Sequence, residues 1–345
     1  MNKNIIFAAL GKEECELCIT FKEHQCLQQG CEVCLSYEQH KIKAIETRSA
    51  YKEDSSLTND NENAYYSVDL QKVIMLPRLP GIKTVAFTRR VIAYNETFAP
   101  LGDKKKLKDK SELPTALTWH QAEGGRSAQE VCSTYYNFIK SKRDISNFTF
   151  WVDNCSSQNK FWFLYSLFCF AVNSSQLTTL SITLKYFERG HSFMSADSYH
   201  HLVEKGMNEM KNVYDFQDFV NVLDSNGKSI VLKSSDFFYF PRGVSEKSKF
   251  TEGKPFLDDI SIVKFQRGTS KMFWKTSFAD LEFKSSEFLQ KKMSAKCLKG
   301  LFELNPLYPT GAPGIESSRK NDIITKLIPL MPENRRSFWQ NLKES

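Results

Sequence analysis

Five strand-favouring residues, Phe148–Val152 (FTFWV), run without a charged interruption and end on an acid, Asp153. Aromatic and β-branched residues in an unbroken run fit a central strand covered on both faces, the kind that parallel sheets use. The turn-prone DNCSSQN of Asp153–Asn159 follows, then the apolar FWFLYSLFCFAV of Phe161–Val172. A strand–loop–helix unit of this kind needs strands beside it and helices on its faces, which restricts the chain to an α/β architecture. It also delivers Asp153 to the end of a buried strand, where a carboxylate suits a divalent cation. Taken alone, Asp153 equally fits an Asx-turn or a helix cap.

Strand-like and helix-like segments alternate around that unit. Tyr65–Leu76 and Thr84–Ala99 read as two strands divided by a PRLPG turn, and Ala116–His120 as a third. Ser127–Arg143 has helical spacing, with Val131, Tyr135 and Phe138 on one face. After the Phe148 strand and its helix come a strand at Leu180–Glu188 and a helix from about Ser198 to Lys211. Three strands, helix, strand, helix, strand, helix predict a mixed five-stranded sheet flanked by helices. From Val213 the pattern is less regular, with short strand-like runs SIVLK and DISIVKF. The tail holds helical turns interrupted by Pro329 and Pro332.

With 345 residues, 41% hydrophobic and 13% aromatic, the chain can bury a sizeable core in two or three units. Its formal charge of +7 permits a phosphate-rich partner without demanding one. The start, MNKNIIFAALGKEE, has too short an apolar run for a signal peptide. The longest apolar run, Phe161–Val172, falls short of the roughly twenty residues of a membrane span. No membrane and a reduced intracellular setting are therefore expected.

Five of the nine cysteines, Cys15, Cys18, Cys26, Cys31 and Cys34, crowd one segment. They lie on a near-repeat with a period of 16 residues, CELCITFKEH from Cys15 and CEVCLSYEQH from Cys31, ending in His24 and His40. In a reduced setting clustered thiols argue for metal rather than disulfides. Each C-x2-C pair forms a knuckle whose thiolates chelate one ion, and two knuckles complete a tetrahedral Zn²⁺ site. The expected ligands are drawn from Cys15, Cys18, Cys31, Cys34, His24 and His40, with Cys26 a seventh candidate. Such an ion would staple a small helical module sooner than read DNA.

Three further acids can join Asp153. Asp69 lies inside a strand (SVDLQ), where an unpaired acid is costly; a solvent-facing strand edge is its plain alternative. Asp197 sits at a helix start, where it also fits an N-cap, and Glu204 lies two turns along the same face. Carboxylates from these elements can converge at one end of a sheet. There a pair of cations such as Mg²⁺ or Mn²⁺ can activate a water or hydroxyl and stabilise the leaving oxygen of a phosphodiester. Asn154, Gln158 and Asn159 suit hydrogen bonds to DNA or to a metal-bound water, though all three are ordinary turn formers. His191 can orient a phosphate or a ligand carboxylate, and at most one of His200 and His201 can share the face of Asp197. The lysine-rich Lys104–Lys110 suits backbone phosphates or plain solvation.

This order of strands and acids resembles the RNase H-like fold of the DDE/DDD transposases and retroviral integrases. WVDNCSSQNKFW, KYFERGHSFMSADSYHHLVEK, the TWH…GGRSAQEV segment and the thiol-rich N-terminus look like transposase-derived proteins of animal genomes, over roughly residues 13–225. The resemblance implies DNA as partner, a nuclear location and room for a homo-oligomer. The sequence departs from the family pattern at Gln121 (usually Glu), Ser157 (usually Gly) and Phe161 (usually Asn). The expected organisation is a Cys/His zinc-binding module (1–52), a polar linker (53–64), an RNase H-like catalytic core (65–225) and an irregular C-terminal region (226–345). Metal-dependent DNA hydrolysis and strand transfer is the function this implies, with Asp69, Asp153 and Asp197 or Glu204 holding the metals. The rivals are a domesticated DNA- or protein-binding descendant without catalysis, which Gln121 favours, and a nuclease acting on RNA or RNA–DNA hybrids.

Overall fold

A computed structural model describes residues 15–25, 30–101, 113–155, 159–244, 255–301 and 303–345. The first elements are α1 (Glu16–Glu23), α2 (Glu32–Ser56), β1 (Asn63–Leu70), β2 (Ile74–Leu76), α3 (Lys83–Phe87), β3 (Val91–Pro100) and β4 (Thr115–His120). Next come α4 (Ala128–Ser141), β5 (Asn147–Val152), α5 (Trp162–Asn173), β6 (Ser181–Tyr186), α6 (Ser195–Met210), α7 (Phe216–Asn226) and β7 (Lys228–Val231). The remainder is β8 (Phe238–Tyr239), β9 (Ile262–Gln266), β10 (Lys271–Lys275), β11 (Lys284–Glu287), α8 (Lys291–Leu298), β12 (Asn305–Pro306), α9 (Ser317–Asp322) and α10 (Arg336–Gln340).

The fold is α/β, built on a mixed sheet of ten strands in the order β11-β10-β9-β6-β5-β1-β3-β4-β7, with β2 paired to β3. β5 lies between β1 and β6 and is parallel to both, which is why its sequence is apolar on both faces. β1, β3 and β4 are antiparallel neighbours. Five strands were expected. The rest arise because β2 folds back on β3, and because the SIVLK and DISIVKF runs extend the same sheet, β7 beside β4 and β9 beside β6. β10 and β11 follow β9 at that edge, so much of the region expected to be irregular completes the sheet. Thr84–Ala99 is not one strand: Lys83–Phe87 makes a helical turn before β3 begins at Val91.

One face of the sheet packs Phe148, Phe150, Tyr66 and Leu184 against α4 and α5. Each buried phenylalanine there contributes roughly 1.5–3 kcal/mol. The other face carries α2, α6 and α7. The buried residues of α2, His40, Thr47, Tyr51 and Asp54, recur on one stripe of the helix. Tyr51 meets Trp151 edge-on at 5.2 Å, and Asp54 accepts from Trp151 Nε1 and Lys185 Nζ, each at 2.7 Å. These contacts carry α2 through Ser56, so Glu53–Ser56, expected in a linker, finish a helix docked on the sheet, and Asn63 and Ala64 already belong to β1. The tail closes over α6 and α7 through buried Trp339, whose Nε1 donates to Tyr214 O at 3.1 Å. No described helix is long and apolar enough to cross a membrane.

Candidate functional site

Parallel pairing of Val68 with Val152 sets the next residue of β1, Asp69, beside the first residue beyond β5, Asp153. Both lie at the carboxyl ends of their strands. α6 then brings Asp197 over the same end: its carboxylate accepts from the Met194 N–H (2.8 Å), while the Ala196 N–H donates to Ser67 Oγ on β1 (2.9 Å). Asp197 is thus both a helix-start cap and a member of the acidic group. Ligand atoms of Asp69, Asp197 and His200 lie within 4.8 Å of one another, and Asp153 is near enough to raise the pKa of both aspartates.

Burial first, then repulsion from Asp153 and Asp197, pushes Asp69 up to about 7. Burial likewise lifts Asp153 and Asp197 above the ordinary carboxylate range. Desolvated carboxylates that oppose one another's ionisation are a setting that a cation relieves. His200 is pushed down to about 4 by burial and is therefore neutral. Its Nε2 lies 3.0 Å from Thr97 Oγ1 and its Nδ1 3.4 Å from Asp69 Oδ2, a close approach of a neutral imidazole to the carboxylate. His201, its neighbour, faces solvent.

Asn159 fixes Asp153. Its Nδ2 donates to Asp153 Oδ1 at 2.5 Å, and its backbone carbonyl accepts from the buried Tyr186 hydroxyl at 2.9 Å. That bond partly offsets the effect of burial on Asp153. Asn154 keeps its Oδ1 buried without a partner among the described residues. Gln158, Ser157 and Lys104–Lys110 lie outside the described residues. Glu204 does not join the group among the described residues: two turns along α6 and 44% exposed, it pairs with Arg78 at 3.4 Å. Gln121 accepts from Arg319 Nη1 at 2.5 Å, which sets it against the C-terminal tail.

Three residues near the acids escaped the sequence reading. Glu96 on β3 is buried on the face opposite Thr97, aligned with Leu70 and Leu117, with Oε2 unpartnered among the described residues. Burial, then Asp69, holds its pKa well above the ordinary value. The clue was an acid inside an apolar strand, the same clue that marks Asp69. Lys160 is 2% exposed, with its Nζ 4.5 Å over the Tyr186 ring, and burial pushes it down to about 8. Arg126, exposed in the GGRS turn, lowers the pKa of both Asp69 and Glu96. That turn is shaped by Glu130, which accepts from the Gly125 N–H (2.9 Å) and the Ser127 N–H (3.0 Å), and by Trp119 Nε1 donating to Gly125 O (2.8 Å).

The thiols and histidines form two groups rather than one local module. Cys15, Cys18, His40 and His191 gather ligand atoms within 4.8 Å, and so do His24, Cys31 and Cys34; either group can hold a metal ion. Cys26 lies outside the described residues. His191, expected to face substrate or the acids, instead joins the thiols from the loop between β6 and α6. In the first group Cys15 Sγ lies 3.2 Å and Cys18 Sγ 3.7 Å from His40 Nε2. His191 Nε2 lies 3.5 Å from Cys18 Sγ and 3.0 Å from His40 Nε2. Pairings within the repeat left these alternatives open; a ligand from beyond residue 180 was not among them.

No family model matches the chain, and neither a curated protein nor a solved structure does.

Proposed function

We propose that the chain is a transposase-like enzyme that hydrolyses and transfers DNA phosphodiesters with Mg²⁺ or Mn²⁺, on an RNase H-like core. The observation that carries this reading is the grouping of Asp69 on β1 with Asp197 and His200 on α6, with Asp153 beside them at the end of β5 and the pKa of all three aspartates raised. The strand order β4-β3-β1-β5-β6, antiparallel on one side of β1 and parallel on the other, supports the core assignment. The donor set is oxygen with one neutral imidazole, which fits Mg²⁺ and Mn²⁺ better than softer ions. A cation held there would activate the attacking water or hydroxyl and neutralise charge on the leaving oxygen.

The chain's own residues supply the rest. Asn159 orients the Asp153 carboxylate, and neutral His200 sets an imidazole nitrogen beside Asp69 Oδ2. Exposed Arg126 offers its guanidinium to a backbone phosphate. The DNA partner and the nuclear location both rest on this reading. Calorimetric titration of Mn²⁺ into wild type and Asp153→Asn, beside a plasmid-nicking assay, tests it. Binding and cation-dependent nicking are expected in the wild type and lost in the variant. A wild type that binds neither Mg²⁺ nor Mn²⁺ would sink the catalytic reading and leave the non-catalytic descendant.

A further inference from the structure

We propose that Cys15, Cys18, His40 and His191 bind one Zn²⁺, and that this ion clamps the N-terminal helices onto the loop that presents Asp197. Tetrahedral zinc with ordinary bond lengths sets S···N edges of about 3.6 Å and N···N edges of about 3.3 Å. The four edges found here, 3.2, 3.7, 3.5 and 3.0 Å, all lie close to those values. The Glu188 carboxylate accepts from His40 Nδ1 at 2.9 Å, which leaves the Nε2 lone pair aimed into the group. A carboxylate behind a ligand histidine is the usual support of a zinc-bound imidazole.

The surroundings are built to the same end. Gly190 has φ +74°, and a Cβ there would lie 2.7 Å from Cys15 Cβ, so only glycine lets the loop approach the thiol. Arg48 of α2 donates to the carbonyls of His191 (2.8 Å) and Phe193 (2.6 Å). Tyr51 Oη lies 3.0 Å from Ser195 Oγ and accepts from the Ser195 N–H at 3.0 Å. Residues 188–195 are therefore held to α2 along their length, and Asp197 follows two residues later. The ion acts on the acidic group by positioning and takes no part in its chemistry.

The zinc half stands apart from the proposed catalysis, because metal content and ligand spectra are read without any DNA reaction. Purified full-length wild type, His191→Gln and Glu188→Gln would be assayed for zinc and titrated with Co²⁺, with circular dichroism to check folding. His191→Gln should lose one equivalent and change the thiolate-to-cobalt absorption. Glu188→Gln, which keeps all four ligands, should weaken zinc about 10–100-fold. Wild-type zinc content and an unchanged cobalt spectrum in His191→Gln would overturn the ligand set, as would an unchanged zinc affinity in Glu188→Gln. Hydrogen exchange of residues 188–197 should quicken when the wild type is stripped of zinc. Exchange that stays the same would overturn the clamp.

Discussion

Replacing Asp69 with asparagine should stabilise the protein when no divalent cation is added, and increasingly so as pH rises. Folded Asp69 titrates at about 7, against 3.8 for an ordinary aspartate. Between those values the folded chain holds a proton that the unfolded chain has released, so stability falls as pH rises through the window and levels off above it. About three units at 1.36 kcal/mol each set a ceiling of about 4 kcal/mol. The side chain is 21% exposed, and solvent screening lowers that figure to about 2–3 kcal/mol. Asparagine keeps the shape and removes the charge. The assay is urea unfolding of wild type and Asp69→Asn in magnesium-free buffer at pH 5 and pH 8, without a chelator that would strip any metal from the thiol groups. The variant should gain on the wild type by about 2 kcal/mol between the two pH values, and the gap should shrink when Mn²⁺ is added. A variant that is less stable at pH 8, or a gap that ignores pH, would refute the account of Asp69 as a desolvated carboxylate awaiting a cation.

Asn159→Ala removes the donor that fixes Asp153; a hydrogen bond to a charged group is worth about 1.5–3 kcal/mol, so Mn²⁺ binding measured by calorimetry should weaken about ten- to a hundredfold. Unchanged affinity would remove Asp153 from the cation site. Gln121→Glu should add no more than about 1 kcal/mol through Arg319 in thermal unfolding and leave Mn²⁺ affinity unaltered. A gain in nicking would instead place position 121 in the acidic group. Tyr51→Phe keeps the ring on Trp151 but loses both contacts to Ser195, and should cost about 1 kcal/mol of stability and speed hydrogen exchange at the start of α6; no change in exchange would contradict the docking of that turn.

Asp153 and Asp69 were legible because their signals are local: an apolar run that ends in an acid, and an acid within a strand. Period and length also gave α4, β5, α5 and β6 nearly to their ends. Thr84–Phe87 misled because TVAF has strand-like composition, and only its packing of Val85 against the tail-side core decides for a helical turn. The SIVLK and DISIVKF runs were visible as strands, but nothing local states that they join β4 and β6 rather than form a sheet of their own. The thiol centre was half legible. C-x2-C spacing announces a knuckle, yet the ligand that completes the first group stands 151 residues beyond His40. No spacing rule reaches that far; only the fold brings His191 back to Cys18.

The first turn of α6 is under opposed demands. Asp153 raises the pKa of Asp197, so without a cation the charges favour moving that turn away from the sheet. Ser67 Oγ holds the Ala196 N–H from β1, and Tyr51 and Arg48 hold the preceding loop from α2. Of these ties only Arg48 brings a charge that favours ionised Asp197, and burial outweighs it; the ties keep the carboxylates together in spite of their repulsion. Glu96 extends the same conflict through the sheet, since Asp69 raises its pKa from the opposite face of β3. A chain selected only for stability would relieve such a cluster, because each desolvated acid subtracts from a small net folding free energy. Stored repulsion held in place by a separate metal-capable centre is what a site needs when its cation is to bind strongly and its geometry must not relax before the cation arrives.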